Sequence, residues 1–182
     1  NSDVYFQQQE VANRFYDALP DIVDEYMGKL QTLTGREYHP FVYYGAPDAD
    51  RVIVTMGSLT ESTEETVDYL NARGEKTGLL RVHLYRPFSL DYFFKYLPQT
   101  VKRVAVLDRT KEMGALAEPL FLDVQSAFAA RRPDVQIFGG RAGVGGNRPS
   151  TRSRSSAANS PSVLANSSRR RSRWRKAATR CG

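Results

Sequence analysis

Between residues 49 and 141 the chain alternates two hydrophobic rhythms. Short runs that are apolar at almost every position, Val52 to Met56, Val104 to Leu107 and Val135 to Phe138, are separated by longer stretches in which apolar residues return every three or four. A run apolar on both faces suits a strand covered on both sides, and the three-to-four spacing suits a helix lying on that sheet. The recurrence predicts an α/β domain with a mostly parallel sheet.

Local signals sharpen each element. In the stretch RVIVTMGSLTESTEETVDYLNARG (51–74), a strand runs into a Gly57-Ser58 turn, and Ser58 to Glu61 has capping-box spacing. The helix that follows keeps Leu59, Thr63, Val67 and Leu70 on one stripe until Gly74 stops it. From Leu79 to Tyr85, Leu80, Val82 and Leu84 alternate with Arg81, His83 and Tyr85, which predicts a strand nearer an edge. Pro87 breaks that strand, Ser89 is placed to cap a short helix carrying Phe93, Phe94 and Leu97, and Pro98 closes it. A helix is predicted from about Ala117 to Ala130 with Leu120, Val124, Ala127 and Phe128 inward. Phe41 to Tyr44 reads as a short aromatic strand. Residues 9–33 read as a polar amphipathic helix interrupted or preceded by Pro20, suited to joining a missing neighbour.

Charge changes the picture at the end of the chain. From Asn147 to Gly182 there are ten Arg or Lys and no acid, against a total of 26 bases and 20 acids, so the remainder holds 16 bases and 20 acids. The globular part is mildly acidic. The tail has nine serines and only Val163, Leu164 and Trp174 as larger apolar residues, too few to offset the entropy of ordering it, so residues 147–182 are expected to be disordered. Two readings of it stand: a basic arm for nucleic acid with Trp174 as a stacking point, and, preferred, an end frameshifted or misjoined near Gly146. The start at Asn1 reads as an internal cut, since no apolar run fits a signal peptide or the roughly 18 residues of a membrane span. Cys181 stands alone, which excludes a disulfide or thiolate cluster within the chain and favours a reducing compartment.

Candidate chemistry gathers where parallel strands end. In open parallel sheets, ligands lie beyond the carboxyl ends near the point where strand order reverses. Those ends carry Gly57 and Ser58, Arg86, Asp108 and Arg109, and Arg141. Three arginines beside helix N-termini could hold a phosphate or carboxylate. The competing structural reading pairs Asp108 with one of the arginines, or turns the rim toward another domain. The single turn glycine Gly57 falls short of a dinucleotide fingerprint or a P-loop. His39 and His83 have no metal-ligand partners at useful spacing. Ser58 lacks a nucleophile elbow and its capping position accounts for a serine. Glu61, Glu64 and Glu65 suit the helix dipole better than acid–base work.

The runs SDVYFQ, TGREYH, YYGAPDADRVIVTMGS, ETVDYLNARGEK, RVHLYRPFS, KRVAVLDRTKE, GALAEPLFLDV and FGGRAGVGG closely resemble the pyruvate:ferredoxin (flavodoxin) oxidoreductase family over residues 1–146. The resemblance implies a dimeric cytoplasmic or organellar enzyme using thiamine diphosphate, magnesium and [4Fe-4S] clusters to convert pyruvate and coenzyme A into acetyl-CoA and carbon dioxide, with ferredoxin or flavodoxin as acceptor. It implies that residues 1–40 end a thiamine-binding domain I and that 41–146 form domain II. That domain is expected to be three-layered and transketolase C-terminal-like, with a mixed five-stranded sheet. Phe41–Tyr44 would be its antiparallel edge, followed across the sheet by 79–85, 52–56, 104–107 and 135–138. The tail departs from the family. No Gly-Asp-Gly stretch with a downstream Asn, no proton-relay acid and no cysteine set is present, so the resemblance assigns no catalytic residue and no bound cofactor to this stretch. It makes the other domains of one polypeptide the principal partner, with membrane and nucleic acid set aside. A free-standing flavodoxin-like anion or nucleotide binder, and nucleic-acid binding through the tail, remain as alternatives.

Overall fold

The computed structural model describes residues 2–143, and the readings placed on the tail fall outside these described residues. Nine elements follow in order: α1 (Ser2–Thr34), β1 (Phe41–Gly45), β2 (Arg51–Met56), α2 (Leu59–Asn71), β3 (Thr77–Val82), α3 (Leu90–Lys95), β4 (Arg103–Asp108), α4 (Pro119–Arg131) and β5 (Gln136–Arg141). The strands form one sheet in the order β1-β3-β2-β4-β5, with β1 antiparallel to β3 and the other pairs parallel. This is the expected mixed sheet with its aromatic strand at the antiparallel edge.

Strand order decides which side each helix covers. The chain moves from β2 to β3 in one direction across the sheet and from β4 to β5 in the other, and right-handed crossovers put α2 and α4 on opposite faces. On the α4 face, Val52 and Val54 of β2, Leu80 and Val82 of β3, and Val104 and Val106 of β4 pack with Leu120, Val124 and Phe128 of α4. Phe93 closes that core. It meets Phe41 and Phe128 edge to face at 5.5 and 5.7 Å between centroids, the arrangement the ring quadrupole prefers. Each such buried ring contributes about 2–3 kcal/mol through apolar area alone. On the other face, Val67 of α2 and Leu79 of β3 are fully buried.

Several boundaries differ from the sequence pattern. β3 begins earlier than expected, at Thr77, because Asn71 at the end of α2 bonds both the amide and the carbonyl of Thr77 and fixes the strand's entry. It also ends earlier, at Val82. Beyond it the amides of His83 and Leu84 both donate to the Pro40 carbonyl, which turns the chain away from the ladder. β5 runs on through Gly139 and Gly140 to Arg141. A side chain at Gly139 would press on the Phe121 ring at 2.8 Å, so glycine lets α4 sit close to this strand. Ser89 caps α3 as expected by accepting the Tyr92 amide. Ser58, in contrast, makes no side-chain cap bond and sits in helical backbone geometry, which overturns the capping-box expectation.

α1 is a single helix of 33 residues with Pro20 inside it. It starts well before the expected residue 9. Its inner side rests on the domain through buried Pro20, through Asp24, which meets His39 Nδ1 at 2.7 Å, and through Asp21, which accepts from the Tyr92 hydroxyl at 2.8 Å. Its outer side presents Val4, Val11, Phe15, Ile22, Tyr26 and Leu33 at near-helical spacing, all exposed, with Phe15 at 63%.

Candidate functional site

The sheet's strand order reverses at β2 and β4, so the switch point lies between Gly57-Ser58 and Asp108-Arg109. Gly57 leaves β2 at φ +69°, a left-handed turn that a side chain disfavours and that points α2 back across the sheet. Its carbonyl accepts both the amide and the hydroxyl of Thr60, closing the first turn. Arg109 reaches across from the end of β4 and donates its guanidinium to Ser58 Oγ. The freed serine hydroxyl is thus an acceptor for arginine in place of a helix cap.

Among the described residues Asp108 pairs with no arginine, contrary to the structural reading of the sequence. It is fully buried. Its two carboxylate oxygens each accept an amide of α4, from Leu120 and Phe121, both at 3.1 Å. These are the orphan N–H groups that an N-cap side chain ordinarily satisfies. The residue in the cap position, Glu118, is engaged elsewhere: Oε2 accepts the Glu112 amide at 2.7 Å and Oε1 accepts from the Arg141 guanidinium. Burial pushes the Asp108 carboxyl above its ordinary range despite its two amides, helped by the nearby charges of Glu118 and Asp123. For Glu118, burial pushes upward but the Glu112 amide and Arg141 outweigh it and hold the carboxyl low.

The third arginine is locked as well. Arg86 stacks on the Tyr85 ring at 4.0 Å and donates to Asp123 Oδ2 at 2.7 Å, while the Tyr85 hydroxyl donates to the same oxygen at 2.6 Å. Burial, followed by the bond to Asp123, raises the Tyr85 hydroxyl to about 12, so it stays protonated and a donor. Asp123 and Glu118 were missing from the expected rim. Asp123 lies on α4, 38 and 37 residues from Tyr85 and Arg86, and Glu118 stands at the cap of α4, 23 residues from Arg141, so that only the sheet order brings these pairs together.

The rim therefore divides in two. Around α4, arginines and carboxylates neutralise one another. At the switch point, Arg109 contacts a hydroxyl and has no carboxylate partner among the described residues. That arrangement can hold loops together and can meet one anionic group. It offers no nucleophile with a base. His39 serves α1 through Asp24, and His83 Nδ1 lies 2.9 Å from the His39 carbonyl. Among the described residues no group of three His, Cys, Asp or Glu could hold a metal ion. The donor set thus does not fit a magnesium diphosphate site or an iron–sulfur cluster, and no step is routed through those groups.

Residues 49–153 match the family model described as pyruvate:ferredoxin oxidoreductase core domain II. The chain belongs to this family. Pyruvate-flavodoxin oxidoreductase of Enterobacter agglomerans is 63% identical over 146 residues, covering 80% of the chain and 12% of that protein. The Klebsiella pneumoniae enzyme of the same name is 61% identical over 146 residues with the same coverage. Pyruvate:ferredoxin oxidoreductase of Moorella thermoacetica is 56% identical over 145 residues, again 80% of the chain and 12% of the relative. The chain spans about 12% of the length of these curated relatives. A solved 2-oxoglutarate:ferredoxin oxidoreductase from Magnetococcus marinus, with 2-oxoglutarate, coenzyme A and succinyl-CoA bound, aligns over 64% of this chain and 19% of that one, at 19% identity and a TM-score of 0.38.

Proposed function

We propose that this chain is a non-catalytic scaffold segment of a pyruvate:ferredoxin or flavodoxin oxidoreductase. The observation that carries the reading is the 63% identity confined to 12% of a relative's length. The larger enzyme, a homodimer, would use thiamine diphosphate, magnesium and [4Fe-4S] clusters to convert pyruvate and coenzyme A to acetyl-CoA and carbon dioxide, and would pass electrons to ferredoxin or flavodoxin. Residues 1–40 then end the preceding domain and lead, through α1, into domain II at 41–146. A cytoplasmic or organellar setting suits such an enzyme; among the described residues no helix is long and apolar enough to cross a membrane.

The geometry supports a scaffold role in two ways. The rim residues Arg86, Asp108 and Arg141 are spent on α4 and its loops, and the outer stripe of α1 is apolar in the manner of a surface that another domain covers. Gly57, Ser58 and Arg109, which take no part in those pairings, are on this reading the rim residues that meet a neighbouring domain. The second reading, an anion-binding module, is favoured by Arg109 alone, which has no carboxylate partner among the described residues at the switch point.

The deciding experiment is a hybrid in which residues 1–143 replace their counterpart in the Enterobacter agglomerans enzyme. Coenzyme A-dependent pyruvate oxidation with flavodoxin reduction is expected at a rate comparable to that enzyme's own. A soluble, dimeric but inactive hybrid would reject the scaffold reading. Saturable binding of coenzyme A or FMN to the isolated chain, abolished by Arg109→Ala, would support the second reading instead.

A further inference from the structure

The outward side chains of α1 have an order that goes beyond amphipathicity. Val4, Phe15 and Tyr26 stand eleven residues apart, as do Val11, Ile22 and Leu33, and all six are exposed. Leu19 and Leu30 repeat the same interval between the two rows. Eleven residues close about three helical turns, so a stripe with this repeat runs nearly straight along the axis instead of winding around it. The opposite side of the helix is occupied, since Pro20, Asp21 and Asp24 rest on the domain. A straight apolar stripe on a helix of 33 residues, about 50 Å long, suits one long and straight partner.

The stripe matches itself when turned end for end. If residue i of one copy lies beside residue 37 − i of another, Val4 meets Leu33, Val11 meets Tyr26 and Phe15 meets Ile22, each ring beside a smaller aliphatic side chain. Flanking charges agree with this pairing. Arg14 and Glu25 are also eleven residues apart and so share one edge of the stripe. Antiparallel helices related by a twofold axis set like edges together, which brings Arg14 of each copy within two residues of Glu25 of the other, about 3 Å along the axis. Arg14 stacks on Phe15 at 4.7 Å and has no carboxylate partner among the described residues, while the exposed Glu25 pairs with Lys29 at 2.5 Å. A parallel pair would set this edge against the other one, with Ala12, Tyr16 and Val23, and would leave both charges unmatched across the seam.

The area is sufficient. Seven outward apolar side chains of α1, each about half exposed or more, present on the order of 700 Å² per copy, so a pair removes about 1,400 Å² from water, the size of a specific interface. Residues 144–182 lack the composition to cover such a seam, since they hold four larger apolar side chains, Val144, Val163, Leu164 and Trp174. We infer that α1 is a self-complementary docking surface whose occupant is α1 of a second copy of this chain, antiparallel about a twofold axis beside Leu19. The inference does not rest on the scaffold reading, whose failure would show as an inactive hybrid and not as a change in association.

Sedimentation velocity of the 182-residue chain tests it. The chain is expected to pass reversibly from monomer to dimer in the micromolar range. Well below the dissociation constant it is a monomer, and its unfolding there does not sense the stripe. Phe15→Ser with Tyr26→Ser should raise the dissociation constant at least about a hundredfold. Arg14→Glu alone should raise it about tenfold by setting four carboxylates along one edge, and adding Glu25→Arg should return it to within about threefold of the unsubstituted value. A chain still monomeric at about 100 µM would overturn the inference. So would a dimer that survives loss of Phe15 and Tyr26, or a charge exchange that restores nothing.

Discussion

Asp108 is a buried carboxylate whose cost is offset by two amides, and its neighbour Glu118 shows the opposite balance. Asp108→Ala would leave the Leu120 and Phe121 amides without acceptors, at a cost of about 2 kcal/mol, measurable by denaturant unfolding. In the hybrid enzyme this substitution should lower stability or assembly before it alters the requirement for pyruvate or coenzyme A. A raised requirement with normal assembly would contradict it. The two carboxylates also act oppositely with pH. Because the folded Asp108 carboxyl is raised, its contribution is complete below the unfolded value near 3.9 and is lost as pH climbs through the folded value. Because Glu118 is held low, its contribution is present above about 4.3 and fades as pH falls through the folded value. Glu118→Gln is therefore expected to cost about 1 kcal/mol near neutral pH, a difference that should close on titration below about pH 4. Thr55 supplies a contrast of another kind. Its hydroxyl is fully buried with no partner among the described residues, so Thr55→Val should leave stability unchanged or raise it by up to about 1 kcal/mol. The arginine contacts were hard to read from sequence because Arg, Asp and Glu are abundant at every strand end, and pairing is decided by loops that no periodicity describes.

At the level of elements, the strands and helices were legible because burial imposes a rhythm. Val52–Met56, Val104–Leu107 and the Leu120, Val124, Phe128 stripe all lie where two-sided or one-sided burial predicts. Strand ends were less legible, since β3 starts at a side-chain clamp from Asn71 and stops at a carbonyl contributed by Pro40. Two glycines that look alike in sequence differ in what they permit. Gly45 ends β1 at φ +119°, and an added methyl would meet the Thr77 carbonyl oxygen at 2.6 Å. Gly57 stands at φ +69° with open space around it. Gly45→Ala is expected to cost about 3 kcal/mol, from strain and a backbone clash together, whereas Gly57→Ala should cost about 1 kcal/mol from strain alone. Parallel urea melts of the two variants would check the order, and equal costs would mean that β1 can shift away from Thr77.

For the whole molecule, the family motifs were legible along residues 1–146, whereas the partition of its surface was not. A sequence shows that α1 is amphipathic; it does not show that the side resting on the domain is held by Pro20, Asp21 and Asp24 while an apolar stripe faces outward. The outer stripe of Val11, Phe15, Ile22 and Tyr26 covers no part of the described domain, with Tyr26 at 64% exposure. Exposed apolar residues in such a row contribute little to an isolated fold and much to an interface, because only association removes them from water. Phe15→Ser together with Tyr26→Ser should therefore leave unfolding of the isolated chain within about 0.5 kcal/mol. In the hybrid enzyme the same pair is expected to weaken packing of α1 against its neighbour, seen as faster amide exchange along α1 and a smaller active fraction after mild heating. Retained exchange protection in the doubly substituted hybrid would mean that α1 stays solvent-facing in the larger enzyme, and that its outer stripe has another use.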